Sequence, residues 1–182
     1  MPNWCEARID VTLPTKNVNK FLRHFIGSEP YENRENPDAL DFFYRTFYQD
    51  HQIIKEEKDI TTMVIYCDCA WSCEGCLDFG KNPFDDETVE CCMTLDEACK
   101  EADVICLHGE SEEPGLCFGE NFDWEQGEDG VGWEVFDITN YDCKDCDMFF
   151  SAREDDGAEC PSCGKWIEPY KEDEEDDDEE QE

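Results

Sequence analysis

The sequence predicts an α+β protein: an antiparallel sheet with helices on one face, then a small cysteine-rich module and an acidic tail. Three features predict this. Strand-like and helix-like apolar patterns follow one another across 1–138, two Cys-x-x-Cys pairs stand thirteen residues apart within 139–168, and acids dominate 169–182.

The elements follow in order. Ile9, Val11 and Leu13 alternate with Arg8, Asp10 and Thr12, the period of a half-buried strand, and Pro14 closes it. Val18, Phe21, Leu22 and Phe25 recur at i, i+3, i+4 and i+7, one stripe of an amphipathic helix that Gly27 ends. After a loop over 29–35, Asn36 caps and Pro37 opens a second helix over 37–48, faced by Leu40, Phe43, Tyr44 and Phe47. The β-branched run 60–69 reads as a central strand. Thr94 and Glu97 make a capping box for a short helix with Leu95, Ala98, Cys99 and Ala102 on one face. Three strands follow at about 103–109, 115–123 and 131–137, divided by glycine- and acid-rich turns. This order is that of a ferredoxin-like sandwich with an extra helix at 37–48. The organisation is therefore a ferredoxin-like α+β domain over 1–138, a module over 139–168, and a tail over 169–182 that is disordered because nothing in it offsets ordering entropy.

The charge is lopsided: 50 acids against 14 bases, a formal net of −36. Residues 59–170 hold 30 of those acids and only 5 bases, so the acidity belongs to folded regions and not to the tail alone. Such a chain repels nucleic acid and anionic membranes, which excludes both as easy direct partners. No apolar run reaches the ~18–20 residues of a membrane span. The N-terminus lacks the basic and apolar regions of a signal peptide. Fourteen cysteines without an export signal imply reduced thiols, metal ligation and a cytoplasmic location.

Cys143-Lys144-Asp145-Cys146 and Cys160-Pro161-Ser162-Cys163-Gly164 form two knuckles, each able to close around a metal with backbone N–H groups turned to sulfur. Together they predict one structural zinc ion on four thiolates, a zinc ribbon. Gly164 suits the sharp turn after the second pair, while Asp147 stands where the first would favour glycine. Cys73 and Cys76, with Cys91 and Cys92 fourteen residues on, are a candidate second zinc site. Cys67 and Cys69 are alternative members, and small buried thiols are the plainer explanation.

Pro2-Asn3-Trp4-Cys5 ahead of a strand, Ala70-Trp71-Ser72 after one, and Glu110 with Phe118-Gly119 in a late strand pair together resemble the YubB-type ferredoxin-like family of plasmids and phages. The resemblance covers about 2–125 and implies the fold and a mobile-element origin; it brings no activity. The chain departs from that pattern in the Cys73–Cys76 segment, in its acidity and in the ribbon.

Other motifs carry less. His108-Gly109-Glu110 with downstream cysteine pairs is similar to the H-x-E…P-C-x-x-C signature of zinc deaminases, but Asp142 replaces the proline and four thiolates would close the metal. The acidic stretch 123–134 puts acids at positions 1, 3 and 12 of a calcium-loop count, with Glu128 where glycine is required. Trp4, Trp71, Trp124 and Trp133 read as core or half-core, Trp124 having acids on both sides.

Three functions fit, in descending order. One is a non-enzymatic phage or plasmid protein that binds a basic host-protein surface, with nucleic-acid mimicry as one form of that binding, through Glu110, Glu112, Glu113, Asp123, Glu125, Glu128 and Asp129. The next is a zinc-ribbon nucleic-acid binder acting in transcription or translation, and the last a zinc deaminase or hydrolase.

Overall fold

The N-terminal alternation builds a longer strand than the apolar residues alone suggest: β1 runs Trp4–Pro14, with Cys5, Ala7, Ile9, Val11 and Leu13 all buried on one face. The computed structural model describes residues 4–26, 43–78, 93–113, 115, 117–153 and 157–169. The chain divides into two compact units, Met1–Asp137 and Ile138–Glu182.

In the first unit β1 is followed by a 3-10 turn, Thr15–Asn17, and by α1, Val18–Ile26, whose buried Phe21, Leu22 and Phe25 are the stripe expected from the sequence. Next come β2 (Thr46–Glu57), β3 (Ile60–Ala70), α2 (Cys73–Leu77), α3 (Leu95–Glu101), β4 (Cys106–Glu113), β5 (Phe118–Glu125) and β6 (Gly132–Asp137). The six strands form one sheet in the order β2-β3-β1-β4-β5-β6, and each neighbouring pair is antiparallel. The protein is thus mostly antiparallel sheet with few helices. The inward residues of β1, β3, β4 and β5 share one buried cluster with the apolar faces of α1 and α3. Each large apolar side chain buried there contributes about 1.5–3 kcal/mol. The helices are tied to each other at their ends: Asn17 Nδ2 donates to Ala102 O at 2.8 Å, Lys20 Nζ to Glu101 O at 2.6 Å, and Arg23 pairs with the Glu101 carboxylate at 3.1 Å. The capping box on α3 forms, with Glu97 N to Thr94 Oγ1 at 3.2 Å and Thr94 N to Glu97 Oε2 at 3.1 Å.

Three expectations need correction. Residues 37–42 of the predicted second helix lie outside the described residues, and the remainder is not helical. Arg45 takes φ 46°, and Phe47 lies in β2. This strand escapes a period-two reading because irregularities between Tyr48/Asp50 and Ile53/Lys55 break its alternation, and its outer half is exposed. The strands expected at 103–109 and 115–123 begin three residues later, at Cys106 and Phe118. Asp103, at φ 52°, still belongs to the turn that closes α3, and Glu110, Glu112 and Glu113 are strand residues despite their charge. The helix α2 had no apolar stripe to announce it; Ser72 caps it, accepting from Gly75 N at 3.0 Å.

One end of the core is rich in sulfur. Cys5 of β1 lies opposite Cys69 of β3, and with Cys67 they occupy buried positions where the rest of the sheet uses Ile9, Val11, Met63 and Ile65, while Cys73 and Cys76 of α2 belong to the same buried cluster. Cys5 Sγ donates to Trp71 O at 3.0 Å and Cys76 Sγ to Ala70 O at 3.2 Å.

Candidate metal centre and acidic sheet face

The second unit is built around the two cysteine pairs. Its hairpin joins β7 (Thr139–Cys143) to β8 (Met148–Ala152), with Tyr141 stacked on Phe150 at 5.4 Å between ring centroids. The first knuckle is the turn between them: Cys146 N bonds Cys143 O at 3.1 Å, and Asp147 takes the left-handed conformation, φ 50°, that the sequence assigns to glycine in such turns. The second knuckle lies between the short strands β9 (Ala158–Glu159) and β10 (Trp166–Ile167). Gly164 N returns to Cys160 O at 2.8 Å with φ 70°, a backbone angle glycine adopts freely. Across the two knuckles Lys165 Nζ pairs with Asp145 Oδ2 at 2.6 Å.

The sulfurs of Cys143, Cys146, Cys160 and Cys163 all lie within 4.8 Å of one another, and Cys143 Sγ is 3.8 Å from Cys163 Sγ. A tetrahedral site with metal–sulfur bonds of about 2.3 Å has sulfur–sulfur edges of about 3.8 Å, so the quartet fits a metal ion such as zinc. The electrostatics agree. Burial opposes ionisation of Cys160, but the N–H groups of Cys163 and Ser162 turn to its sulfur and bring the thiol down to about 7. The neighbouring Cys163 sulfur pushes Cys146 up to about 12. Thiolates this close repel one another, and a bound cation offsets that repulsion.

Among the described residues no other group of three or more His, Cys, Asp or Glu side chains converges in this way. Cys73 and Cys76 are buried on α2, while Cys91 and Cys92 lie outside the described residues. The calcium-loop count fails: positions 123 and 125 lie in β5 and position 134 in β6, with a turn and no helices between them. In His108-Gly109-Glu110, the histidine Nδ1 meets Asp123 Oδ1 at 2.7 Å and the glutamate meets Arg8 at 3.7 Å, both exposed. Gly109 has a packing reason, since a Cβ there would stand 2.1 Å from the Phe122 ring.

Glu110, Glu112, Asp123 and Glu125 are exposed on the face of the sheet opposite the helices, and Glu128 and Asp129 are exposed in the turn after β5. Glu113 is a correction. It is 4% exposed and cannot belong to a binding surface, because strand alternation sends it and Ser111 inward while Glu110 and Glu112 point out. Trp124 is likewise inward, 4% exposed, donating to Asp96 Oδ1 at 2.9 Å. Sequence reasoning missed Glu120. It is 1% exposed and accepts from Cys73 N at 2.6 Å, Glu74 N at 3.1 Å and Ser111 Oγ at 2.9 Å, so it fastens the start of α2 to β5. The signal available was its inward register, two residues before Phe122.

No protein-family model matches the chain, nor does any curated protein or solved structure. Among the described residues no helix is long and apolar enough to cross a membrane.

Proposed function

We propose that this chain is a non-enzymatic, zinc-stabilised binding protein that docks its acidic sheet face on a basic surface of another protein. The observation that carries this reading is the exposed face itself, where acids from β1, β3, β4 and β5 outnumber the bases in their rows, Arg8, His108 and Lys55. Opposite fields steer association and raise on-rates, and the self-repulsion of so many acids is a cost that a basic partner relieves. A nucleic-acid-binding host protein fits as that partner, with the chain occupying its binding surface and with a phage or plasmid as source. The strand order β2-β3-β1-β4, with helices after β1 and after β3, supports a ferredoxin-like core widened by β5 and β6. The zinc is structural: four thiolates leave no open position for substrate.

Affinity capture from a host lysate at ~50 and ~200 mM salt tests the reading. A basic partner released by the higher salt is the expected result, and a partner whose retention is indifferent to salt overturns it. A second reading, a nucleic-acid-binding ribbon, draws on the exposed aromatics Phe149 and Trp166, 66% and 53% exposed. Asp142, Asp145 and Asp147 in the same module oppose it. Measurable single-strand binding by the full chain at ~50 mM salt would favour that reading instead.

A further inference from the structure

The outer sheet face does not leave its charges equally open. Register places Tyr66, Arg8 and Glu110 in one row, and Val64, Asp10, His108 and Asp123 in the next. The acids just named in those rows have partners, within a row or across to the next. Arg8 reaches Asp10 at 3.2 Å and Glu110 at 3.7 Å, and His108 reaches Asp123 at 2.7 Å. The neighbouring row is different: Asp68, Glu6 and Glu112 stand directly opposite one another on β3, β1 and β4, with no base among them. Asp68 accepts from Gln49, while Glu6 and Glu112 have no hydrogen bond or ion pair among the described residues. Like charges directly opposite across strands destabilise a sheet.

Aromatic rings border this row. Phe47 lies opposite Asp68 and holds Trp4 edge-on at 4.8 Å between centroids, leaving Trp4 38% exposed. At the far end Phe136 covers Gly119, the residue opposite Glu112. Adjacent strands stand about 4.8 Å apart, so neighbouring carboxylates are spaced for one planar group to bridge. Building on the proposed function, we infer that the row Asp68–Glu6–Glu112, with Trp4 beside it, seats arginine side chains of the basic partner. A guanidinium donates from several N–H groups in one plane, so it can bridge two carboxylates and also stack on an indole. An ammonium is a compact point charge without that geometry, so the surface discriminates arginine from lysine.

The experiment uses the full, zinc-loaded chain and two probes, a nine-residue arginine peptide and its lysine counterpart, titrated calorimetrically at ~50 mM salt. The row variant is Glu6→Gln with Glu112→Gln; the control, Glu128→Gln with Asp129→Asn, removes the same charge from the turn. Wild type should bind the arginine peptide more tightly. The row variant should lose about tenfold or more and most of the preference, and the control less than about threefold. Trp4→Ala should narrow the preference at unchanged net charge. Equal losses in the two double variants, or equal affinity of wild type for both peptides, overturn the arginine seat while the acidic-binder reading stands. No binding of either peptide overturns both. Thermal melts confirm folding; the row variant relieves repulsion and should melt no lower than wild type.

Discussion

Glu120→Ala should be among the most damaging single substitutions outside the ribbon. Its carboxylate satisfies three donors at once: two first-turn amides of α2 and the Ser111 hydroxyl, at 2.6, 3.1 and 2.9 Å. Alanine leaves all three without their acceptor, Cys73 N and the Ser111 hydroxyl in buried positions and Glu74 N in a half-buried one, at about 1–3 kcal/mol for each buried donor. Relief from burying a carboxylate offsets part of that, leaving a net loss of about 3 kcal/mol. Glu120→Gln keeps one oxygen acceptor but turns an NH2 donor toward a donor, and should lose about 1–2 kcal/mol. Urea unfolding followed by fluorescence measures both. Should alanine cost less than about 1 kcal/mol, or glutamine cost more than alanine, the acceptor role assigned to Glu120 is wrong.

Three other outcomes follow. Freshly purified protein should carry about one zinc per chain by elemental analysis, and Cys160→Ser should unfold the second unit; less than about half a zinc per chain rules the centre out. Gly109→Ala should cost about 2–3 kcal/mol in urea unfolding because the added methyl meets the Phe122 ring at 2.1 Å, with an effect below 1 kcal/mol contradicting the packing account. Burial raises Asp96, but hydrogen bonds from Lys100 and Trp124 outweigh it and hold the carboxyl below its usual range. A depressed folded value means stabilisation that is full above the unfolded value, about 3.9, and lost as pH falls through the folded one. Trp124→Phe should therefore flatten the acid side of the stability profile, and an unchanged profile between about pH 2 and 5 argues against that bond.

What could be read from the residues is what a strict period or a fixed spacing imposes. Ile9, Val11 and Leu13 gave β1, the Thr94–Glu97 pair gave the start of α3, and two cysteine pairs gave the candidate metal centre. β2 was hidden because an edge strand with irregular register buries little on either face, so its side chains need not alternate. Glu113 and Glu120 were misread or overlooked for a shared reason. Hydropathy assigns carboxylates to solvent, whereas strand parity and waiting donors can hold them inside. The unpaired row on the outer face was equally invisible, since it exists only once three strands are in register.

The sulfur-rich end of the core has a consequence for how the molecule's motions can be timed. Burial lifts Cys5 and Cys99 well above the ordinary thiol range and takes Cys73 to about 11, and hydrogen bonds with the Cys67, Cys73 and Cys76 thiols lift Cys69, so the folded protein presents these groups as unreactive thiols. Cys106 is exposed and supplies a fast internal reference. An alkylating reagent should therefore tag Cys106 at once and the buried set only when strands part or the chain opens. Residue-resolved mass spectrometry of the tagged protein would then separate fraying of α2, through Cys73 and Cys76, from opening of the central strands, through Cys5 and Cys67. The chain carries its own stopwatches for local unfolding, without any label having to be engineered in.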